Sequence, residues 1–402
     1  MQKTRTYIDL GTEKIGSLLV KQSVPAAIGF FVMVIYQVVD TIFVGRGVGT
    51  LAIAGITVVM PISMLIATIG LSLGVGGSSI ISRALGAGEN EKAQRTFGNL
   101  ITLTLSMVLF TTLMGFVFQD EVLWLFGGKG DIYPFALDYF QVLLPGLPFL
   151  AFAMMANNAI RAEGNAKAAM LTMLIPAIIN IILDPIFIFG FGWGIKGAAF
   201  ATTISYIFSA GYALFYFLSG RSPLKVRREY LPLEPRLVKE IFAIGITSMA
   251  RQGSASLLAV VLNHTLFTYG AEIAVAIYGI LFRVLMFSFF PVMGLLQGFL
   301  PISGFNYGAQ KFGRVLESLR LSISTATAIC FGLLVLVMIF ANPIVKLFSD
   351  DPELILPGAK ALRMVFIAVP LVATQLFGAA YFQAIGKALP ALLLTMTRQG
   401  IF

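Results

Sequence analysis

A carboxylate inside an apolar run is the first chemistry this chain offers. Asp40 lies in VIYQVVDTIFVG, which has no polar break on either side. Such a group at mid-bilayer costs roughly 2.5–3.5 kcal/mol on insertion scales, so a chain that keeps it has a use for it. The stretch NIILDP adds Asn180 and Asp184, four residues apart and therefore on one helix face. Ala198 and Thr202 repeat that spacing in the next apolar run. Neither aspartate has an evident cationic partner in the same half of the chain. Two neighbouring carboxylates taken out of water are poised to exchange protons. Oxygen donors of this kind equally suit a hard monovalent cation, so H⁺ and Na⁺ both remain open. Asp40, Asn180, Asp184 and Thr202, with Ala198 at a similar depth, form the candidate cation site.

Other residues point to a cavity beside it. Tyr36 precedes Asp40 by one helical turn and can hydrogen-bond to it, with Gln37 adjacent. Met33, Met64 and Met173 belong to a set of methionines that would give a soft surface for varied apolar ligands, although a single methionine is more often core or lipid-facing. Asn157 fits a pocket or an interhelical hydrogen bond equally well. Pro25, fifteen residues before Asp40, should kink its helix. In the second half, Arg251 and Arg283 are cations within apolar runs, suited to carbonyls, to an anionic ligand group or to snorkelling. His264 falls near a span end, where an interfacial role is expected. Cys330 reads as a small packing residue. GVGGSS and GGKGD resemble phosphate loops only loosely, so no nucleotide site or other cofactor is expected.

The elements that position these groups follow from composition. The chain of 402 residues is 58% hydrophobic and 12% charged, half the roughly 25% charge of a soluble globule. The apolar runs reach helix length, about 20 residues, rather than alternating as barrel strands do. The fold class is an all-α polytopic membrane protein. Ten spans are expected at 17–44, 51–80, 95–118, 133–160, 167–190, 194–219, 238–268, 272–300, 315–341 and 355–385, and an eleventh begins near Leu389.

The net charge of +9 sits mainly in alternate loops, a topology signal rather than a nucleic-acid footprint. Lys3, Arg5, Lys14, Lys21, Arg83, Lys92, Arg95, Arg161 and the linker GRSPLKVRREYLPLEPRLVKE share one side. That bias places the N-terminus in the cytoplasm of a multi-pass protein of the cell inner (plasma) membrane. No cleavable signal peptide is evident. The linker divides the chain into an N-terminal six-helix lobe (1–220), a cytoplasmic linker (221–237) and a C-terminal lobe (238–402). The halves repeat at an offset of 222 residues: RALGAGENEKA, with Gly86, aligns with FNYGAQKFGRV, with Gly308. Pro148 matches Pro370, and Arg161–Lys167 matches Gln383–Leu389. Two pseudo-symmetric six-helix lobes follow, related about an axis along the membrane normal. By the repeat, the C-terminal lobe is expected to lack its last helix and a half, roughly forty residues.

In this order, PAAIGFFVMVIYQVVDTIFVG, LGVGGSSIISRALGAGE, IRAEGNAKAA, NIILDP and GFLPISGFNYGAQ resemble the multidrug and toxic compound extrusion (MATE) family over the whole chain. The resemblance implies twelve helices in two lobes around a cavity, and exchange of H⁺ or Na⁺ for exported organic cations. It carries the N-lobe cation site onto Asp40, Asn180, Asp184 and Thr202, with Ala198 as a backbone neighbour, and the bending position onto Pro25. The seventh span, ITSMARQGSASLLAVVLNH, lacks the glutamate of the NorM-like branch, so the chain is more similar to the DinF-like branch. The expected function is a cation-coupled antiporter, working as a monomer, that exports lipophilic, often cationic, small organic compounds across the lipid bilayer by alternating access. A flippase for a lipid-linked saccharide is the alternative. An intramembrane enzyme is not expected: there is one histidine, no HExxH and no interfacial aspartate cluster.

Overall fold

The computed structural model describes residues 9–348 and 351–397, and side chains at a number of positions between 255 and 275, His264 among them, lie outside the described set. Among the described residues there is no strand. The first six spans are α1 (Ile15–Gly47), α2 (Thr50–Ala87), α3 (Asn90–Val117), α4 (Gly130–Ala162), α5 (Ala166–Gly190) and α6 (Gly194–Leu218). A short helix, Gln119–Leu125, caps the turn between α3 and α4. After the linker come α7 (Pro235–Ser288), α8 (Phe290–Gly308), α9 (Phe312–Lys346), α10 (Pro352–Ala384) and α11 (Ala388–Met396).

Proline placement explains the local departures from a straight α-helix. α4 tightens into a 3₁₀ turn at Leu144–Gly146, where Pro145 and Pro148 remove backbone donors. α5 contains Pro185 and widens at once into a π turn over Ile186–Gly190. That turn directly follows Asp184, so the wide segment opens beside the acid. α1 runs unbroken through Pro25, whose missing N–H leaves the Lys21 carbonyl without its helical donor. At the start of α5, Asn165 accepts from the Ala168 N–H at 3.1 Å, a standard N-cap.

The expected break between spans seven and eight, at 268–272, is not where the structure bends. α7 continues to Ser288 and meets α8 at 44°. Gly270 and Glu272 read as a loop in the sequence, yet one glycine costs a helix only about 1 kcal/mol. The first proline after Pro235 is Pro291, in the first turn of α8, and the bend falls there. Eight helices are long and apolar enough to cross a membrane among the described residues, or nine with the bent pair. The other expected spans, including the start of the eleventh, fall on helices.

The 222-residue repeat appears in the packing as mutual contacts. A Cβ on Gly86 would collide with the Phe305 carbonyl, and one on Gly308 would collide with the Arg83 carbonyl. Arg83 and Phe305 are themselves 222 apart, as are Gly86 and Gly308. α2 and α8 therefore cross backbone to backbone about a local two-fold axis, an approach only glycine permits. The same side is tied by an ion pair from Arg83 to Glu240 at 2.9 Å. The segment before α1 docks there too: Asn306 donates to the Leu10 carbonyl, Lys311 to that of Gly11, and Arg314 to that of Glu13. One large core, including Phe97, Ile241, Phe299 and Phe377, runs through both halves. A smaller one, with Val44, Ala52, Ile188 and Ala198, closes the opposite end of the first six spans.

Candidate cation and substrate site

α1, α5 and α6 bring the candidate cation residues together. Asn180 and Asp184 face inward from α5, 1% and 0% exposed, and Thr202 faces them from α6. The Asn180 Nδ2 donates to Asp184 Oδ1 and to Thr202 Oγ1, both at 3.3 Å. Asp40 lies across from them on α1, with its carboxyl neighbouring that of Asp184. Ala198 is fully buried one turn before Thr202. Asp40 Oδ1, Asn180 Oδ1 and Asp184 Oδ2 are all buried without a hydrogen-bond partner. Three orphaned oxygens at one point are expensive for a protein to hold. Their chemistry, two carboxylates and an amide carbonyl, fits a proton or a hard cation such as Na⁺. Only two acids contribute, and no group of three or more metal-ligating His, Cys, Asp or Glu occurs among the described residues.

Tyrosines enclose the acids. Tyr36 sits beside Tyr206, and Tyr139 beside Thr202. Tyr206 had a signal in the sequence: Ala198, Thr202 and Tyr206 recur every four residues along one face of α6. Tyr139 had none, being one aromatic among many.

Next to these groups lies a cavity of about 240 Å³. Met33, Tyr36, Asn157 and Met173 line it as expected, together with Asn158, Thr172, Tyr206, Ser209 and, from α8, Gln297. Asn157 serves in both of its possible roles, for its Nδ2 also donates at 2.7 Å to the Ala169 carbonyl and to Thr172 Oγ1. Three expected cavity residues are not in the lining. Met64 is 45% exposed on α2, Gln37 sits one position off the face of α1 that carries Tyr36 and Asp40, and Arg283 is exposed on α7. Helical spacing gives a face but not which neighbour covers it. Arg251 has a partner of its own. Cys330 is a fully buried free thiol, as a packing residue should be.

Glu163, between α4 and α5, is a further buried acid that the sequence reading did not single out. It is 1% exposed and accepts from Ser222 Oγ at 2.5 Å and from Tyr216 at 2.9 Å. Burial pushes its carboxyl up to about 8, with the two hydroxyl donors pulling the other way.

Membrane-spanning helices around an apolar cavity, with an acid pair beside two of its lining tyrosines, Tyr36 and Tyr206, are the architecture of a polytopic carrier. The MatE family profile matches residues 25–186 and 248–402. The chain belongs to the MatE family of membrane transporters. It is 28% identical over 379 residues to a multidrug export protein, MepA, of Staphylococcus aureus, covering 94% of this chain and 84% of that protein. A MepA of Staphylococcus haemolyticus is also 28% identical, over 91% of this chain and 80% of its own. Among solved structures, the outward-facing conformation of a multidrug resistance MATE family transporter superposes with a TM-score of 0.90 at 27% identity, over 100% of this chain and 89% of the other. A MATE structure in the bent conformation gives 0.90 at 28%, over 99% and 88%.

Proposed function

We propose that this transporter exports lipophilic, often cationic, small organic compounds in exchange for H⁺ or Na⁺, with Asp40 and Asp184 capturing the ion. The observation that carries the reading is the trio of unpaired oxygens on Asp40, Asn180 and Asp184, near Tyr36 and Tyr206 in the wall of the 240 Å³ cavity. Asn180 and Thr202 complete the ion's shell, and the multidrug export names of the relatives support the substrate class. The cationic loops put the N-terminal side, where the halves meet, in the cytoplasm of a plasma-membrane protein. Residues 1–220 and 238–402 act as the two rocking lobes, joined by 221–237.

Capture of a cation neutralises the pair and removes the penalty on the orphaned oxygens. Tyr36 and Tyr206 couple that change to the cavity, since both feel the charge of Asp40 and both line the cavity. α1, lacking one hydrogen bond at Pro25, is the element that yields, and its movement changes the cavity's shape and expels the bound compound. One elementary charge moved across 100 mV supplies about 2.3 kcal/mol, enough for close to a fiftyfold gradient. Arg283, which would have served a lipid-linked anionic substrate, is exposed on α7 and outside the cavity lining, so no observation favours a flippase. The test is efflux from proteoliposomes driven by an imposed pH or Na⁺ gradient. Asp40→Asn should abolish the gradient-driven component, and undiminished coupled efflux would remove the proposed role.

A further inference from the structure

A second, smaller cavity lies between the halves, lined by repeat mates about the local two-fold axis and adjoining the first cavity at Asn158 and Gln297. It measures about 20 Å³, room for one water or one monatomic ion. Its walls are repeat mates: Val75 and Gln297, Ser79 and Pro301, Arg161 and Gln383 are each 222 residues apart. The symmetry fails in charge, because a guanidinium from the first half faces an amide from the second.

Arg161 is 3% exposed and belongs to no ion pair among the described residues. Its Nε donates to Asn157 Oδ1 at 2.9 Å, and Nη2 approaches only the Met173 sulfur, at 3.8 Å. Nη1 is buried with no partner. Arginine stays charged in proteins, so burying it without an anion leaves a large desolvation cost unmet. The one acid nearby in sequence, Glu163, is held by Tyr216 and Ser222 instead. No carboxylate lines the cavity, whereas Ser78, Asn158 and Gln297 bring hydroxyl and amide groups to it.

We propose that a small monovalent anion of halide size binds in this cavity on Arg161, and that it stabilises the conformation in which the two halves meet on the N-terminal side. Because both halves supply the walls, separation of the halves takes the site apart. The anion is thus a ligand of one conformation only, and it shifts the equilibrium toward that state. Asn158 and Gln297 line both cavities, so the anion also places negative charge at the inner end of the substrate cavity.

The test uses the purified full chain in sodium chloride and in sodium gluconate at equal sodium and ionic strength; gluconate is too large for 20 Å³. At chloride ten times above half-saturation, the unfolding midpoint should rise by about 1–2 °C. Arg161→Gln should lose that difference. Equal midpoints in the two salts would overturn the proposal, as would an equal difference in Arg161→Gln, which marks a bulk salt effect. Bromide anomalous scattering from crystals of the unaltered protein gives a reading that does not depend on the variant folding. A peak at Arg161 Nη1 is expected, and a water there without bromide overturns the proposal. Neither readout involves transport, so both stand or fall apart from cation coupling.

Discussion

At the residue scale, the acid cluster is held by few hydrogen bonds, so single substitutions should be informative. Thr202→Val removes one of the two acceptors of Asn180 Nδ2 while leaving both carboxylates in place. A lost hydrogen bond of about 1 kcal/mol predicts roughly a fivefold weaker half-saturation for the driving ion, read from efflux against ion concentration. Maximal rate should change less. Glu163 carries a separate prediction about stability. Its carboxyl ionises near 4.5 in the unfolded chain and near 8 in the folded one, so the folded state holds the extra proton between those values. Its contribution is complete below pH about 4.5, is lost progressively as pH rises from there to 8, and is flat beyond, amounting to on the order of 5 kcal/mol. Unfolding midpoints of Glu163→Gln should be flatter than those of the unaltered protein between pH 5 and 8. Parallel curves would show that Glu163 is not the group responsible.

At the element scale, the crossing of α2 and α8 is the most constrained contact between the halves. Gly86→Ala and Gly308→Ala each set a methyl against a backbone carbonyl that cannot rotate away. Overpacking of this kind costs about 1–3 kcal/mol, and by the local two-fold the two variants should lower the unfolding midpoint by similar amounts. A fall in only one of them would show that the crossing is not symmetric in energy. In the sequence the 222-residue offset put Gly86 and Gly308 in register without indicating that their helices touch. The sequence did disclose Asp40, Asn180, Asp184 and Thr202, because polar groups stand out in apolar runs and i, i+4 spacing assigns them a face. Gln37, Met64 and Arg283 fall outside the lining of the 240 Å³ cavity, because periodicity along a helix is silent about which helix packs on each face. The break at Phe289 was obscured by Gly270 and Glu272, which look like a loop but do not prevent a helix, while Pro291 suits the first turn of a new one. Tyr139 and Arg161 were not legible as site residues: one is an aromatic in an aromatic-rich chain, and the other resembles any loop cation until its burial is known.

At the scale of the whole molecule, the halves share backbone symmetry but not chemistry. The acids belong only to the first: Leu262 stands where the repeat would put a counterpart of Asp40. The proposed account therefore assigns ion capture to one half and uses the other as the surface against which it moves. Its central claim is that the two carboxylates themselves take up the cation. Infrared difference spectra of the carboxyl stretch, recorded on lowering pH and on adding Na⁺, test that claim without requiring a substrate. The account predicts a carboxyl band that responds to at least one of the two ions in the unaltered protein and disappears in both Asp40→Asn and Asp184→Asn. A band indifferent to both ions, or one that persists unchanged in either variant, would contradict it.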